Sequence, residues 1–250
     1  MKKFTKMNIY ISIFMVTALF FPILTKAETI TVCADHYPPQ VIIENNMVKK
    51  GISIEIVKEV CKQIGVSLKF KKMPLKRILR ELKNGTITAT TPLFYTKERS
   101  KYLYYPKPQI TAKKVIAALK ESNLKVKNLD DLKGKTVGVQ ANASLGDKFD
   151  KWPGIIKKPT YAIEQIIQML DKGRFDAAGF QDELMFRFIS RKLGIRHRFK
   201  IIYVISEAPV YTVFSKKALG AKGPDFVEKF SNSLEQLKKE GVIQKILNKY

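Results

Sequence analysis

The sequence has few of the residues that bind transition metals, with two cysteines and two histidines among 250 residues. His36 and His197 lie far apart in the sequence and neither is near a cysteine pair, so no metal-ligand spacing is present. No set of paired carboxylates, and no nucleophile with a neighbouring base, demands catalysis. The sequence therefore indicates no metal, no cofactor and no catalytic residues.

Acidic residues are also scarce, with 22 against 46 lysines and arginines and a formal charge of +24. The lysines are scattered singly, and no dense basic run is interleaved with aromatic residues, so nucleic-acid binding is not indicated. A solvated basic surface accounts for this charge. A preference for anionic ligands or for surfaces of the cell envelope is the alternative.

Long apolar runs are missing except at the N-terminus. Lys2, Lys3 and Lys6 precede an apolar stretch over residues 9–24, and Thr25-Lys26-Ala27 follows it. This layout predicts a secretory signal peptide that is cleaved after Ala27; the alternative is an uncleaved membrane anchor. The remaining 223 residues should form a soluble, exported protein with a formal charge of about +20.

The two cysteines bear on whether the exported chain is tethered to a membrane by a lipid and whether it contains a disulfide. Cys33 follows Ile30-Thr31-Val32, which is not the small-residue approach of a lipoprotein site, so we expect a free protein in the periplasm. Because the export route is oxidising, Cys33 and Cys61 could form a disulfide. Cysteine also packs well as a small apolar residue, so two buried free thiols are the alternative.

The hydrophobic periodicity predicts an α/β protein. In the first part, strands over 28–34, 66–70 and 87–91 alternate with helices that end at Gly65 and Gly85, and a loop opens at Pro92. In the second part we expect strands over 115–119, 136–140, 175–180, 201–205 and 210–214, and a helical turn over 128–132. Helices should follow Ser144, span Ile163–Leu170 and run from Asp182 to Lys192.

Ligands of such sheets lie beyond the carboxyl ends of the strands. Tyr37, on a loop stiffened by Pro38 and Pro39, and Phe94 both follow predicted strands. Ser144 is predicted to cap the next helix, and a helix N-terminus is a ready anion site. We therefore expect a ligand site at this edge.

The two α/β parts of the chain are expected to form two lobes. The C-terminal helices, broken at Gly241, are expected to return to the first of them. The chain would then cross between lobes twice, near residues 108–113 and 207–211, and form a hinge. The predicted organisation is a signal peptide over 1–27, the first part of lobe one over 28–110, lobe two over 111–211, and the return to lobe one over 212–250.

Several short motifs lie in order along the whole chain after the signal peptide: Tyr37-Pro38-Pro39, Gly51-Ile52, Thr96-Lys97-Glu98-Arg99, Gly134–Gln140, Gly173–Ala177 and Gly241–Tyr250. In this order and spacing they resemble the bacterial extracellular solute-binding proteins of family 3, the polar amino-acid receptors of ATP-driven importers. The resemblance implies the type II periplasmic-binding-protein fold: two lobes, each a mostly parallel sheet flanked by helices, with two hinge crossings around a cleft.

The resemblance also implies ligand contacts. Arg99 matches the arginine that holds the ligand's α-carboxylate, as its forked donors suit. Tyr37 matches an aromatic residue that lines the ligand, and Thr91 a hydroxyl or backbone contact. Where the family has Gly-Thr-Ser, this chain has Asn142-Ala143-Ser144.

Further positions depart from the family pattern or add charge. Pro92 and Phe94 replace small hydroxyl residues. The acid that holds an ammonium falls at Gln181, so Asp182 either takes that role or only caps its helix. Arg77 either adds a second cation to the cleft or is an exposed helix residue. These changes allow a ligand with more negative charge, or one without an ammonium.

Three functions remain open from the sequence. The first is a monomeric receptor that hands a small carboxylate-bearing molecule to the permease of an ABC importer. The second is a periplasmic dehydratase of the cyclohexadienyl or arogenate type on the same fold, with Asp182 or Asp35 as acid. The third is a ligand receptor for a sensor kinase.

Overall fold

A computed structural model describes residues 29–141 and 144–250. The expected signal peptide, its cleavage site and Asn142 lie outside these residues. Within the two ranges, no helix is both long enough and apolar enough to cross a membrane.

The N-terminal part of the chain alternates strands and helices, as predicted. Its elements are β1 (Thr29–Ala34), β2 (Ile42–Glu44), β3 (Met47–Lys50), α1 (Ile52–Gln63), β4 (Ser67–Lys72), α2 (Leu75–Asn84), β5 (Ala89–Phe94), α3 (Lys97–Ser100) and β6 (Leu103–Tyr104). Gly85 ends α2 in the left-handed conformation, with φ of 78°. The hairpin of β2 and β3 was not predicted, and β5 continues past Pro92 to Phe94, so the prediction that a loop opens at Pro92 is wrong.

The middle of the chain supplies the second lobe. Its elements are β7 (Ile110–Leu119), a 3-10 helix (Leu129–Leu132), β8 (Thr136–Gln140), α4 (Asp147–Asp150), β9 (Ile156–Thr160), α5 (Ile163–Asp171), β10 (Ala177–Phe180), α6 (Glu183–Lys192) and a 3-10 helix (Arg196–Arg198). Asn128 caps the first 3-10 helix in a capping box with Asp131, which confirms the predicted turn.

The last part of the chain begins with one long strand. Its elements are β11 (Phe199–Ser215), α7 (Lys216–Leu219), a 3-10 helix (Gly220–Lys222), α8 (Gly223–Lys239) and α9 (Val242–Asn248). Two separate strands were predicted where β11 runs unbroken along the chain, because the polar stretch in its middle is paired with β7 instead of forming a loop.

Apart from the β2-β3 hairpin, the described strands form one mixed sheet through both lobes, in the order β4-β1-β5-β11-β7-β10-β8-β9, with β6 beside β11. β1 is parallel to β4 and β5, and β8 is parallel to β9 and β10. The antiparallel strands β7 and β11 join these two parallel groups. The mostly parallel sheets expected for the two lobes are therefore continuous with each other.

Separate cores lie in the two lobes. In lobe one, α1, α8 and α9 enclose a buried cluster that includes Ile30, Val57, Phe230 and Ile246. In lobe two, the clusters around Phe186 and around Leu132 draw on residues 115–205. The C-terminal helices thus pack against the first helix of the chain.

The two passages between the lobes lie side by side. Ile110, Ala112 and Lys113 on β7 are in register with Val210, Ala208 and Glu207 on β11. Lys113 Nζ and Glu207 Oε1 add an ion pair of 3.1 Å. The lobes are therefore joined by a paired ribbon. The predicted boundaries after residues 110 and 211 remain predictions, since both strands continue through them.

The two cysteines are buried free thiols. Cys33 packs with Ile78 and Leu82 under α2, whereas Cys61 belongs to the cluster under α1 on the opposite face of the sheet. This separation explains why the disulfide considered from the sequence is not formed. Burial raises the pKa of the Cys61 thiol to about 12, and it also raises that of Cys33.

Candidate ligand site

The loop after β1 presents Tyr37 at the carboxyl end of the strand. Its backbone is closed by two hydrogen bonds with Val41, from Tyr37 N to Val41 O at 3.0 Å and from Val41 N to Tyr37 O at 2.9 Å. The half-buried ring is thereby held on a short, fixed turn, as the two prolines predict.

The Tyr37 hydroxyl of lobe one lies near the Asp182 carboxyl of lobe two. Burial first, and then the charge and hydrogen bonding of Asp182, raise the pKa of Tyr37 far above its ordinary value. Asp182 lies just past the carboxyl end of β10 and is only 3% exposed. These two residues therefore lie close together across the two lobes.

Asp182 also caps α6, because its Oδ1 accepts from Leu184 N at 2.8 Å. Burial raises the pKa of its carboxyl above the ordinary 3.8, although the N–H groups of Leu184 and Met185 and the Tyr37 hydroxyl act in the opposite direction. The predicted cap is confirmed. A buried carboxyl with a raised pKa at a cleft is also a candidate ligand contact.

Arg99 lies on the short helix α3, just after the carboxyl end of β5. Thr96 caps this helix, with Oγ1 accepting from Arg99 N at 3.2 Å. The half-buried guanidinium donates from Nη1 to the carbonyl oxygen of Phe94 at 3.2 Å. Among the residues that the structure describes, no carboxylate lies within 4.0 Å of it. None of its donors is therefore committed to a carboxylate of the described residues.

Aromatic residues precede this arginine in the loop after β5. Phe94 is 41% exposed and Tyr95 is 53% exposed. Tyr95 packs edge-on against Tyr105, with ring centroids 5.0 Å apart, and Tyr105 packs in the same way against Tyr211 at 5.2 Å. This row runs from the loop after β5 to the hinge strand β11, so lobe one offers aromatic surface beside a cation.

Thr91 is buried in a polar network below this surface. Its Oγ1 lies 3.0 Å from Thr212 Oγ1 on β11 and 3.3 Å from Gln109 Nε2, which precedes β7. Gln109 Oε1 accepts from Thr212 Oγ1 at 2.9 Å. All three residues are 1% exposed. The network therefore ties the two hinge strands to β5, and the buried Thr91 side chain has its partners within the protein.

The same network reaches the Tyr37 loop. Gln109 Nε2 donates to Ser53 Oγ at 2.6 Å, and Ser53 Oγ donates to Gln40 Oε1 at 2.8 Å. The loop also lies tightly against α1, since a Cβ on Gly51, whose φ is 133°, would collide with the Gln40 carbonyl oxygen. The loop that carries Tyr37 is thus fastened to the hinge through buried polar side chains.

Ser144 does not begin a helix, so the prediction of a helix N-terminus there is wrong. Helix α4 has four residues and starts after Gly146. The carboxylate of Asp150 occupies the donors that precede it: Ser144 Oγ at 2.5 Å, Leu145 N at 3.1 Å and Gly146 N at 3.2 Å. The chain's own carboxylate takes the place that the sequence assigned to an external anion.

Ser144 nevertheless lies beside another predicted residue. Its carbonyl oxygen accepts from Gln181 Nε2 at 3.0 Å and from Lys114 Nζ at 3.2 Å. Gln181 is thereby placed at the end of β10 next to Asp182, but its amide is committed to the protein. The structure therefore brings Ser144, Gln181 and Asp182 to one edge of lobe two.

Arg77 is separate from this group. Its side chain is 62% exposed on α2, and its Nε lies 3.8 Å from Glu81 Oε1 one turn away. Of the two alternatives from the sequence, the structure favours the exposed helix residue.

Sequence reasoning missed the buried polar residues Gln40, Ser53, Gln109 and Thr212, and the capping carboxylate Asp150. Ser53 stands between Ile52 and Ile54 in the first turn of α1, and a polar side chain among such apolar residues signals a buried partner. The partners themselves lie 13 and 56 residues away, so the sequence gives no indication of them.

The fold and this cleft define a two-lobed binding protein. The family model of bacterial extracellular solute-binding proteins, family 3, matches residues 30–250, and the chain belongs to this family. The resemblance and the fold class inferred from the sequence are thus confirmed.

Relatives of the chain bind amino acids. It is 25% identical over 224 residues to the arginine-binding extracellular protein ArtP of Bacillus subtilis, covering 87% of this chain and 83% of ArtP. It is 26% identical over 206 residues to the histidine-binding periplasmic protein of Escherichia coli, covering 80% of this chain and 78% of that protein. These relatives are extracellular or periplasmic binding proteins.

A solved structure shares the fold. The substrate-binding protein of a polar amino-acid ABC uptake transporter from Streptococcus thermophilus is 23% identical, with a TM-score of 0.75, covering 89% of this chain and 85% of that one.

Proposed function

We propose that this protein is a periplasmic receptor that binds a small polar molecule with a carboxylate, an amino acid or a close relative, between its lobes. It delivers this ligand unchanged to an ABC importer. The observation that carries the proposal is the half-buried guanidinium of Arg99 at the end of β5, without an acid partner among the described residues. Similarity to arginine-binding and histidine-binding proteins supports it.

Arg99 is the residue to which we assign the ligand's carboxylate. A guanidinium presents two parallel donors that match the two carboxylate oxygens, and the aromatic surface beside it reduces competition from water. Lobe two does not share this task through Ser144, because Asp150 already accepts from the donors there. Arg99 therefore carries the anionic end of the ligand alone on this account.

Tyr37 and Asp182 are assigned the opposite end of the ligand. They meet across the lobes, so a ligand that reaches both contacts lobe one and lobe two at once. An ammonium would stabilise the ionised form of Asp182, which burial otherwise disfavours. Bridging of this kind stabilises the closed arrangement over the open one.

The experiment is isothermal titration of the exported protein with arginine, histidine and cystine, with their des-amino analogues, and with any molecule that mass spectrometry recovers from the denatured protein. The Arg99→Ala variant should weaken binding of the best carboxylate ligand by about 30-fold or more, which is the loss of a charge-assisted pair. Arg99→Lys keeps the positive charge but loses the two parallel donors of the guanidinium, so its affinity should lie between those of wild type and Arg99→Ala.

Arg174→Ala is the matched control, since Arg174 is exposed and precedes the amino end of β10, whereas the assigned Asp182 follows the carboxyl end of that strand. Wild-type affinity in Arg99→Ala, or the absence of heat and of thermal stabilisation with every compound tested, would contradict the proposal. Recovery of a chemically altered ligand after incubation would contradict delivery of an unchanged one.

A further inference from the structure

One surface of lobe one carries cations with very few acids. It is formed by the edge strand β4 and by the outer side of α2, and we call it the basic face. Its members are Lys69, Lys71, Lys76, Arg77, Arg80 and Lys83, all exposed.

Strand and helix bring these cations together. Lys69 and Lys71 are in register with Thr31 and Cys33 of β1, and Cys33 packs under α2. The two lysines therefore project on the side of the sheet that α2 covers, and both Lys71 and Arg77 lower the pKa of the Cys33 thiol against the larger effect of burial. Within the described part of the chain, β4 is the last strand at this end of the sheet.

Little negative charge balances this surface. Glu81 is the one acid in the sequence of α2, and it is shared between Arg77 and Arg80 and also accepts from Thr86 Oγ1 at 2.5 Å. Asp35 accepts from Leu75 N at 3.0 Å and so caps the helix. Lysines on an edge strand prevent sheets from pairing edge to edge, which accounts for Lys69 and Lys71 but not for four cations on the neighbouring helix.

We propose that the basic face docks the protein on an anionic phospholipid surface. A specific protein interface needs an apolar core and is depleted of lysine, and four of the six cations here are lysines. A lipid surface needs only charge within a screening length, together with some apolar contact. Leu75, 40% exposed at the start of α2, supplies such contact.

The test is sedimentation with vesicles that contain 30% phosphatidylglycerol or only phosphatidylcholine, at low and at high salt. The proteins are purified after export, so that all share one N-terminus. One variant carries Lys69→Gln, Lys71→Gln and Lys76→Gln. The control carries Lys125→Gln, Lys127→Gln and Lys133→Gln, which remove the same charge from exposed sites of lobe two.

Each lysine near an anionic surface contributes roughly a fivefold gain in partition, so the first variant should bind phosphatidylglycerol vesicles about 100-fold more weakly. The control should stay within about threefold of wild type, high salt should abolish binding, and the thermal midpoints of all three should agree. No binding of wild type to anionic vesicles at low salt, or equal losses in both variants, would overturn the proposal. Binding only to native membranes, lost after protease treatment, would assign the basic face to an acidic protein instead.

Discussion

Replacing Gln109 with leucine tests how the loop that carries Tyr37 is joined to the hinge. Gln109 is buried between α1, β5 and β11, and its amide makes hydrogen bonds with Ser53, Thr91 and Thr212. Leucine has a similar volume, so the change removes the hydrogen bonds without opening a large cavity. We expect a less stable protein in which the two hinge strands are no longer tied to α1.

The expected magnitude follows from the hydrogen bonds that leucine cannot make. They join the amide of Gln109 to three partners, at 2.6 Å to Ser53, 3.3 Å to Thr91 and 2.9 Å from Thr212. Each contributes about 1 kcal/mol net, and the buried Ser53 and Thr212 hydroxyls would each be deprived of a partner. The two threonines still interact with each other at 3.0 Å, so we expect a decrease of about 3 kcal/mol in the free energy of unfolding.

For a chain of this size, a decrease of that order lowers the thermal midpoint by about 10 °C. Urea unfolding followed by circular dichroism measures the free energy, and calorimetry measures the midpoint. Gln236→Leu is the matched control: this exposed glutamine has one hydrogen bond, to Glu240, and should change stability by less than about 0.5 kcal/mol. If the stability of Gln109→Leu were within about 1 kcal/mol of wild type, the network would not be holding the hinge strands.

Three further predictions concern single groups. The Asp182→Asn variant should gain stability relative to wild type as the pH rises above 3.8, because the folded protein holds the Asp182 proton more tightly than the unfolded chain does. Urea unfolding from pH 4 to 8 measures this, and a constant difference in the free energy of unfolding between the two proteins would refute it. Tyr250→Phe should cost about 1–2 kcal/mol in urea unfolding, since the hydroxyl accepts from Gly51 N at 3.0 Å and donates to Glu55 at 2.5 Å; an unchanged midpoint would refute this. Cys61 should react with a thiol reagent only on unfolding, and rapid labelling of the native protein would contradict its burial.

The elements with strong local signals were predictable. The apolar spacing and Gly85 defined α2, and Asp182 marked the start of α6, because helix ends depend on nearby side chains. The long strand β11 was not recognised, since its polar middle is stabilised by β7, about 90 residues earlier in the chain. Pairing of that range leaves no local pattern to detect.

In the candidate site, too, features with a local sequence signal were predictable and others were not. Tyr37, Arg99 and Asp182 follow strands that the periodicity predicts, and the structure puts them at the ends of β1, β5 and β10. The prediction of a helix directly after Ser144 was wrong, because a favourable capping residue does not guarantee that a helix follows it. Gly146, with φ of 113°, and the carboxylate of Asp150 turn the chain there instead.

The interleaved connectivity of the lobes constrains the order in which the molecule can be assembled. Lobe two takes its cores from residues 115–205, a continuous piece, whereas the main core of lobe one needs both Ile30 and Ile246. A polypeptide that emerges N-terminus first can thus complete its middle before its beginning. Helix α1 gains its last contacts only when Tyr250 has been added, because the Tyr250 hydroxyl bonds Gly51 N and Glu55. Removal of a few C-terminal residues would therefore destabilise a helix near the N-terminus.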